Sequence, residues 1–88
     1  MEHRARIVSA SFAPQEHLKD ATLVLFAELE HGALVRVEDT GPKTYLCKHY
    51  NIFATDTGKD DFRNIVGRSI VLEEKGNLYR LKDFASDV

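Results

Sequence analysis

The feature that most constrains this chain is a hairpin around residues 30–32, where the length of the turn decides which side chains share a face. A two-residue turn would place Arg36 and Glu38 on the face that carries the leucines of the preceding strand. A three-residue loop, with Gly32 in the left-handed conformation of a bulged turn, leaves that face wholly apolar. The sequence therefore predicts the three-residue loop. The predicted pairs are Leu29 with Ala33, Ala27 with Val35, and Leu25 with Val37.

Further strands and one short helix are predicted on both sides of this hairpin from periodicity and turn residues. The predicted strands cover residues 4–12, 21–29, a segment from residue 33, 43–50, 69–74 and 77–84, and the helix covers residues 58–66. In the last hairpin a turn at residues 75–76 would set Leu72 opposite Tyr79. The order β-β-β-β-α-β-β predicts a mainly β (α+β) fold, a small antiparallel barrel or roll of the SH3-like or OB-like kind.

Composition limits the class of protein. The 88 residues, 10.0 kDa, predict one small domain, residues 1–88, with a single core. The net charge of −2 gives no strong overall attraction for nucleic acid. Cys47 is the single cysteine and cannot form an internal disulfide, which favours a reducing, cytoplasmic location. The polar start and the lack of a long apolar run predict neither an export signal nor contact with a membrane.

Residues 56–58, Asp-Thr-Gly, resemble the catalytic triplet of retroviral-type aspartic proteases, and residues 64–68 resemble the later glycine segment of that family. In the family a flap hairpin separates the two strings, and here the interval between Asp56 and Gly67 is too short for one. The residues around the triplet also differ from the family pattern. We therefore interpret Asp56 and Thr57 as the N-terminal cap of the predicted helix.

Cys47 and His49 stand two positions apart, which on a strand would direct both side chains to one face. Such a pair suggests a Cys/His dyad or half of a metal site, but zinc needs two further ligands and the other histidines show no ligand spacing. The prediction is an inert, buried Cys47 and a surface His49. We expect no catalytic residue, metal or cofactor, and no enzymatic activity.

The leading interpretation is a non-enzymatic module that binds a protein partner through a sheet face or an edge strand, and an edge-to-edge homodimer is compatible with it. The predicted partner-binding residues are Arg36, Lys43, Tyr45, His49, Arg80 and Lys82. The alternative is a single-stranded nucleic-acid-binding small barrel, in which cations follow phosphates and rings stack on bases. The residues predicted for it are Arg4, Arg6, Lys43, Tyr45, Arg80 and Lys82.

The layout of the chain combines an N-terminal hairpin with a Glu-His-Gly turn at residues 30–32 and a short helix that ends in Val-Gly-Arg, residues 66–68, before a hairpin. This layout resembles short uncharacterised β-rich proteins of phages and mobile elements. The resemblance covers most of the chain in layout and transfers no site residues. It implies an accessory or regulatory role in which the protein binds a host protein, for example as an inhibitor of host defence.

Overall fold

The computed structural model describes residues 1–13, 20–53 and 60–85, which form a closed five-stranded barrel with one short helix. The elements are β1 (Glu2–Phe12), β2 (Asp20–Leu29), β3 (Leu34–Pro42), α1 (Lys43–Tyr50), β4 (Ser69–Lys75) and β5 (Leu78–Phe84). Around the barrel the strand order is β1-β2-β3-β5-β4, and β4 pairs with β1 to complete the circle. The predicted class, a small mainly β barrel with one short helix, is confirmed.

The connection between β3 and β4 determines the type of barrel. It carries α1 and returns the chain to the far side of β1, so the first four strands have the spatial order 4-1-2-3 of a Greek key. A five-stranded Greek-key barrel is the OB-like arrangement. Of the two barrel types predicted, the structure has the OB-like one.

The three-residue loop between β2 and β3 is confirmed. The N–H of Leu29 donates to the carbonyl oxygen of Ala33 at 2.8 Å, and the N–H of Gly32 donates to that of Leu29 at 2.9 Å. Gly32 has φ 94°, the left-handed conformation that the bulged turn requires. Leu25 pairs with Val37 as predicted, and the predicted pair of Ala27 with Val35 is also present. The register therefore follows from keeping charge out of the core.

The core lies inside the barrel and is closed at one end by α1. Its buried side chains are Ala5, Ile7, Leu23, Leu25, Ala27, Leu29, Val37, Leu46, Tyr50, Ile52, Ile65, Ile70 and Leu72. None of them comes from β5, which contributes only the partly buried side chains of Tyr79, Leu81 and Phe84. Among the described strands, β5 is therefore the one held least by the core.

The segment predicted as a fourth strand, residues 43–50, is instead the helix α1. Its buried residues are Leu46 and Tyr50, which stand four positions apart, as on one face of a helix. Pro42 precedes the first turn with φ −56°, and Asn51 ends the helix with φ 58°. The strand prediction was wrong because burial of one helical face outweighs the weak strand preference of this segment.

The helix predicted at residues 58–66 does not form in its described part, where residues 63–67 make turns. The predicted cap, residues 56–57, and the first two helical positions lie outside the described residues. The N–H of Gly67 donates to the carbonyl oxygen of Ile7 at 2.7 Å, and the N–H of Ile7 donates to that of Arg68 at 3.0 Å. These bonds tie the end of the segment to β1. Inside the predicted helix, Asp61 instead exchanges two backbone hydrogen bonds with Phe53, at 3.2 Å and 2.8 Å, in an isolated antiparallel bridge that is not a helical conformation.

The final hairpin turns one residue later than predicted, at residues 76–77, so that Leu72 pairs with Leu81 and Glu74 with Tyr79. Gly76 has φ 60° and occupies the first position of the two-residue turn, where a positive φ is needed. Each residue therefore has a partner two positions from the predicted one. Because side chains of a strand alternate between two faces, a shift by an even number leaves every side chain on its predicted face. The predicted apolar face of this hairpin therefore still faces the core.

Candidate functional site

The weakest closure of the barrel lies between β3 and β5. Every other pair of neighbouring strands is joined by an antiparallel ladder of several residues. The strands β3 and β5 run parallel and are joined at one residue pair, Val37 with Tyr79. We call this junction the seam. In the described part of the chain, the β3 residues before Val37 have no strand partner on this side.

A groove of about 630 Å³ opens at the seam. It is lined by Val35, Arg36, Glu38, Asn77, Leu78 and Tyr79, and we call it the seam groove. Leu78 is 72% exposed, and Leu34, the residue next to the groove at the start of β3, is 62% exposed. Two exposed leucines beside one groove make this surface a candidate contact site.

The backbone of β3 offers hydrogen-bonding groups to the seam. Because the N–H of Leu29 bonds to the carbonyl of Ala33, every second residue of β3 after Ala33 directs its N–H and C=O toward β2. The intervening residues, Leu34 and Arg36, direct theirs away from β2. The open end of β3 therefore presents backbone donors and acceptors at the seam.

The seam groove carries charges of both signs that neutralise each other. The guanidinium Nη2 of Arg36 lies 2.6 Å from Oε1 of Glu38, and both side chains are more than half exposed. Lys43 and Lys82 have acidic partners as well, Asp60 at 3.1 Å and Glu2 respectively. Three of the predicted binding cations are thus already paired within the described residues.

The six predicted partner-binding residues do not form one surface. Arg36 lies in the seam groove. Lys43, Tyr45 and His49 lie on α1, and Arg80 and Lys82 lie on β5. Leu34, Leu78 and Tyr79 were missed as binding residues. For Leu34 the sequence did contain a sign of exposure. The predicted register places this leucine on the outer face of the hairpin, together with the charged residues Arg36 and Glu38.

On α1 the predicted Cys/His pair does not form. Two positions along a helix correspond to about 200°, so Cys47 and His49 point in different directions, and the expectation of a shared face is wrong. His49 stacks on the ring of Tyr45, with centroids 5.7 Å apart and planes 6° apart. Burial raises the pKa of the partly buried Cys47 thiol above its ordinary value, which keeps it protonated and weakly nucleophilic.

A search of the described residues finds no group of three or more His, Cys, Asp and Glu side chains placed to hold a metal ion. The Asp-Thr-Gly triplet, residues 56–58, lies outside the described residues.

Tyr79, the β5 residue of the seam, contacts side chains of two other strands, β4 and β1. Its hydroxyl donates to Oε2 of Glu74 at 3.3 Å, and Oε1 of Glu74 lies 2.9 Å from Nε2 of His3. The rings of His3 and Tyr79 are 5.8 Å apart. The hydrogen bond from His3 is the main cause that lowers the pKa of Glu74 below its ordinary value. His3 and Glu74 are far apart in the sequence, so no local pattern could reveal this cluster.

We expect His3→Ala to raise the pKa of Glu74 toward its ordinary value, because the main hydrogen bond to the carboxylate is lost. A carboxylate with a lowered pKa contributes stability above its ordinary pKa, and loses that contribution as pH falls through the lowered value. Carboxyl ¹³C NMR titration measures the shift, with His31→Ala, an exposed histidine on the three-residue loop, as control. An unchanged Glu74 titration in His3→Ala would contradict the cluster.

Within the described residues, α1 is the single helix, and it is too short to cross a membrane. Leu78 and Leu34, beside the seam groove, are the most exposed large apolar side chains of the described strands. The chain was also compared with protein-family models, with curated proteins and with solved structures, and it matches none of them.

Proposed function

We propose that this chain is a non-enzymatic module that binds a protein partner through the seam groove. The observation that carries the proposal is the single residue pair between β3 and β5, with the exposed side chains of Leu34 and Leu78 beside it. Closure of a barrel normally removes the strand edges that attract other chains. Here a single residue pair closes the barrel at the seam, the end of β3 beside it has no strand partner on this side among the described residues, and apolar side chains reach solvent there. A protein partner would cover both features at once.

The chemistry of the groove favours an apolar segment of a protein. Arg36 and Glu38 neutralise each other, so the groove selects little charge in its partner. Val35 and Tyr79 provide partly buried apolar surface between the exposed leucines. The free energy falls when an apolar partner displaces water from leucine, valine and tyrosine side chains.

The alternative, binding of single-stranded nucleic acid, has one observation in its favour. Tyr45 is 58% exposed and stacks on His49, which leaves a ring face for a nucleobase. The affinity of such sites depends on cations that neutralise phosphates. Lys43 and Lys82, two of the cations predicted for this role, already have acidic partners. The paired charges therefore favour the protein partner.

The proposal extends to the setting in which the module acts. We place it in the cytoplasm, since the chain has one cysteine and so no internal disulfide. The layout resemblance implies an accessory role in a phage or mobile element, with a host protein as partner and inhibition of host defence as one such role. Of that layout, the hairpin with the Glu-His-Gly turn is present, and the short helix before residues 66–68 does not form in its described part. The seam groove is the surface that would engage the host protein.

The test is capture of partners from a host lysate by the tagged chain, with and without nuclease. The groove variant is Leu34→Glu with Leu78→Glu, and the control is Phe53→Glu with Val66→Glu, which changes two other exposed apolar side chains. We expect a stoichiometric protein that survives nuclease and binds wild type and control, with a loss of roughly tenfold or more in the groove variant. Circular dichroism checks that both variants fold.

Two results would contradict the proposal. The first is equal capture of the protein by the groove variant and the wild type, since the partner would then bind elsewhere. The second is recovery of nucleic acid that Tyr45→Ala abolishes and the groove variant retains, which would support the alternative function.

A further inference from the structure

We propose that the partner contributes an extended strand, which adds to the open end of β3 at the seam. This inference rests on the function proposed above and specifies how the partner binds. Strand addition at an exposed sheet edge gives affinity through main-chain hydrogen bonds and specificity through alternate side chains.

The strand β5 is too short at its start to cover β3. β3 begins at Leu34, three positions before Val37, whereas β5 begins at Leu78, one position before Tyr79. Before Leu78 the chain turns at residues 76–77 and leaves toward β4, since Leu78 pairs with Lys75. β3 therefore extends two positions, or about 7 Å, beyond the start of β5, which leaves room for two or three residues of an added strand.

The backbone groups at this end of β3 face the space that an added strand would occupy. The N–H and C=O of Leu34 and the N–H of Arg36 point away from β2, as the ladder alternation requires. The C=O of Arg36 lies on the same side, where the parallel pair of Val37 with Tyr79 already uses it. A protein segment carries the matching alternation of donors and acceptors along its own backbone, and a nucleic acid does not. The pattern of the open edge therefore specifies a polypeptide.

The side chains around the open end of β3 indicate which kinds of residue that polypeptide would carry. Leu34 and Leu78 are exposed, whereas Val35 and Tyr79 are partly buried. Because side chains of a strand alternate between two faces, both faces of an added strand would meet apolar groups here. The predicted partner segment is short, uncharged and apolar, with at least one residue on each face that packs against this surface.

The added strand belongs to a different chain. If two copies paired antiparallel about Arg36, the two Arg36 side chains would lie directly opposite each other, and like charges in that position are destabilising. The Arg36 guanidinium already has a partner in its own chain, Glu38. Self-association through β3 is therefore an outcome that would contradict the assignment of the partner.

The experiment uses peptides selected from a random twelve-residue display library on the full chain. The key comparison is Leu34→Pro with Leu34→Ala. Both lose the leucine side chain, and proline also loses the N–H that faces the seam without removing a hydrogen bond to β2. We expect the selected peptides to bind Leu34→Pro roughly tenfold more weakly than Leu34→Ala, because a main-chain hydrogen bond is lost and its acceptor is left unpaired.

A second comparison does not depend on how well Leu34→Pro folds. N-methylation of alternate backbone amides in a selected peptide removes donors from one edge of the added strand at a time. We expect methylation of one edge to abolish binding and methylation of the other edge to leave it nearly unchanged. Amide exchange measured by NMR should show new protection at Leu34 and Arg36 in the complex.

The possible failures are distinguishable. Peptides that shift NMR signals of groove residues but bind Leu34→Pro and Leu34→Ala equally, and tolerate methylation of either edge, would overturn strand addition and leave the proposed function standing. No selected peptide, or peptides that bind away from the groove, would overturn both. Concentration-dependent self-association of the wild type that Leu34→Pro abolishes would identify a second copy as the occupant.

Discussion

Leu46→Ala should lower the free energy of unfolding by about 3 kcal/mol, because a fully buried leucine is lost and the surrounding atoms relax only partly into the space. Leu46 lies on α1, the helix that closes one end of the core and packs against β2 and β3. Its removal would leave a void where the helix meets the barrel. Urea unfolding monitored by circular dichroism measures the difference.

The control for this prediction is Lys48→Ala on the same helix. Lys48 is exposed and two positions from Leu46, so the helix places the two side chains on different faces. We expect the change at Lys48 to alter the free energy of unfolding by less than about 0.5 kcal/mol. In a strand the two residues would share a face. Comparable losses in both variants would therefore contradict the helical assignment of residues 43–50.

Tyr50→Phe should cost about 1.5 kcal/mol at pH 7. The Tyr50 side chain is 1% exposed, and its hydroxyl donates to Oδ2 of Asp39 at 2.7 Å. The bond joins α1 to β3, and its removal leaves the Asp39 carboxylate, in a partly buried position, without this donor. Urea unfolding at pH 7 measures the loss, with Tyr45→Phe, an exposed tyrosine on the same helix, as control.

The same variant should also change the response of the protein to alkaline pH. Burial, and then the hydrogen bond to Asp39, raise the pKa of Tyr50 well above its ordinary value. A tyrosine with a raised pKa contributes stability that is complete below the ordinary value, about 10, and is lost as pH rises above it. We expect the stability of wild type to fall more steeply than that of Tyr50→Phe above about pH 10. Parallel curves for the two proteins would contradict this.

The sequence predicted the β2–β3 hairpin correctly because one physical requirement, exclusion of Arg36 and Glu38 from the core, fixed the turn at Gly32. Residues 43–50 had no such requirement. Their alternation of polar and apolar residues was compatible with a strand, and the burial that selects a helix depends on contacts with distant strands. The helix predicted at 58–66 failed for the same kind of reason, since Asp61 pairs with Phe53, a residue outside that segment.

The candidate site was less accessible to sequence reasoning than the fold. Arg36 was named in advance, and Leu34 was an apolar residue on a face that should meet solvent. The junction of β3 and β5 through a single residue pair could not be predicted, because it depends on where β5 begins relative to that pair. The turn at Gly76 determines that position. The sequence placed this turn one residue too early, so each predicted partner in the hairpin was two positions from the partner in the structure.

The seam also bears on how fast the protein can bind. The other four junctions of the barrel carry antiparallel ladders, and an added strand would leave all of them intact. The free chain therefore already has the shape of the bound chain, and the entropy lost on ordering falls mainly on the partner segment. Association without refolding of the barrel places its rate in the range set by diffusion and orientation. A module that binds in this way would capture an exposed segment that exists only briefly, before its partner folds or assembles.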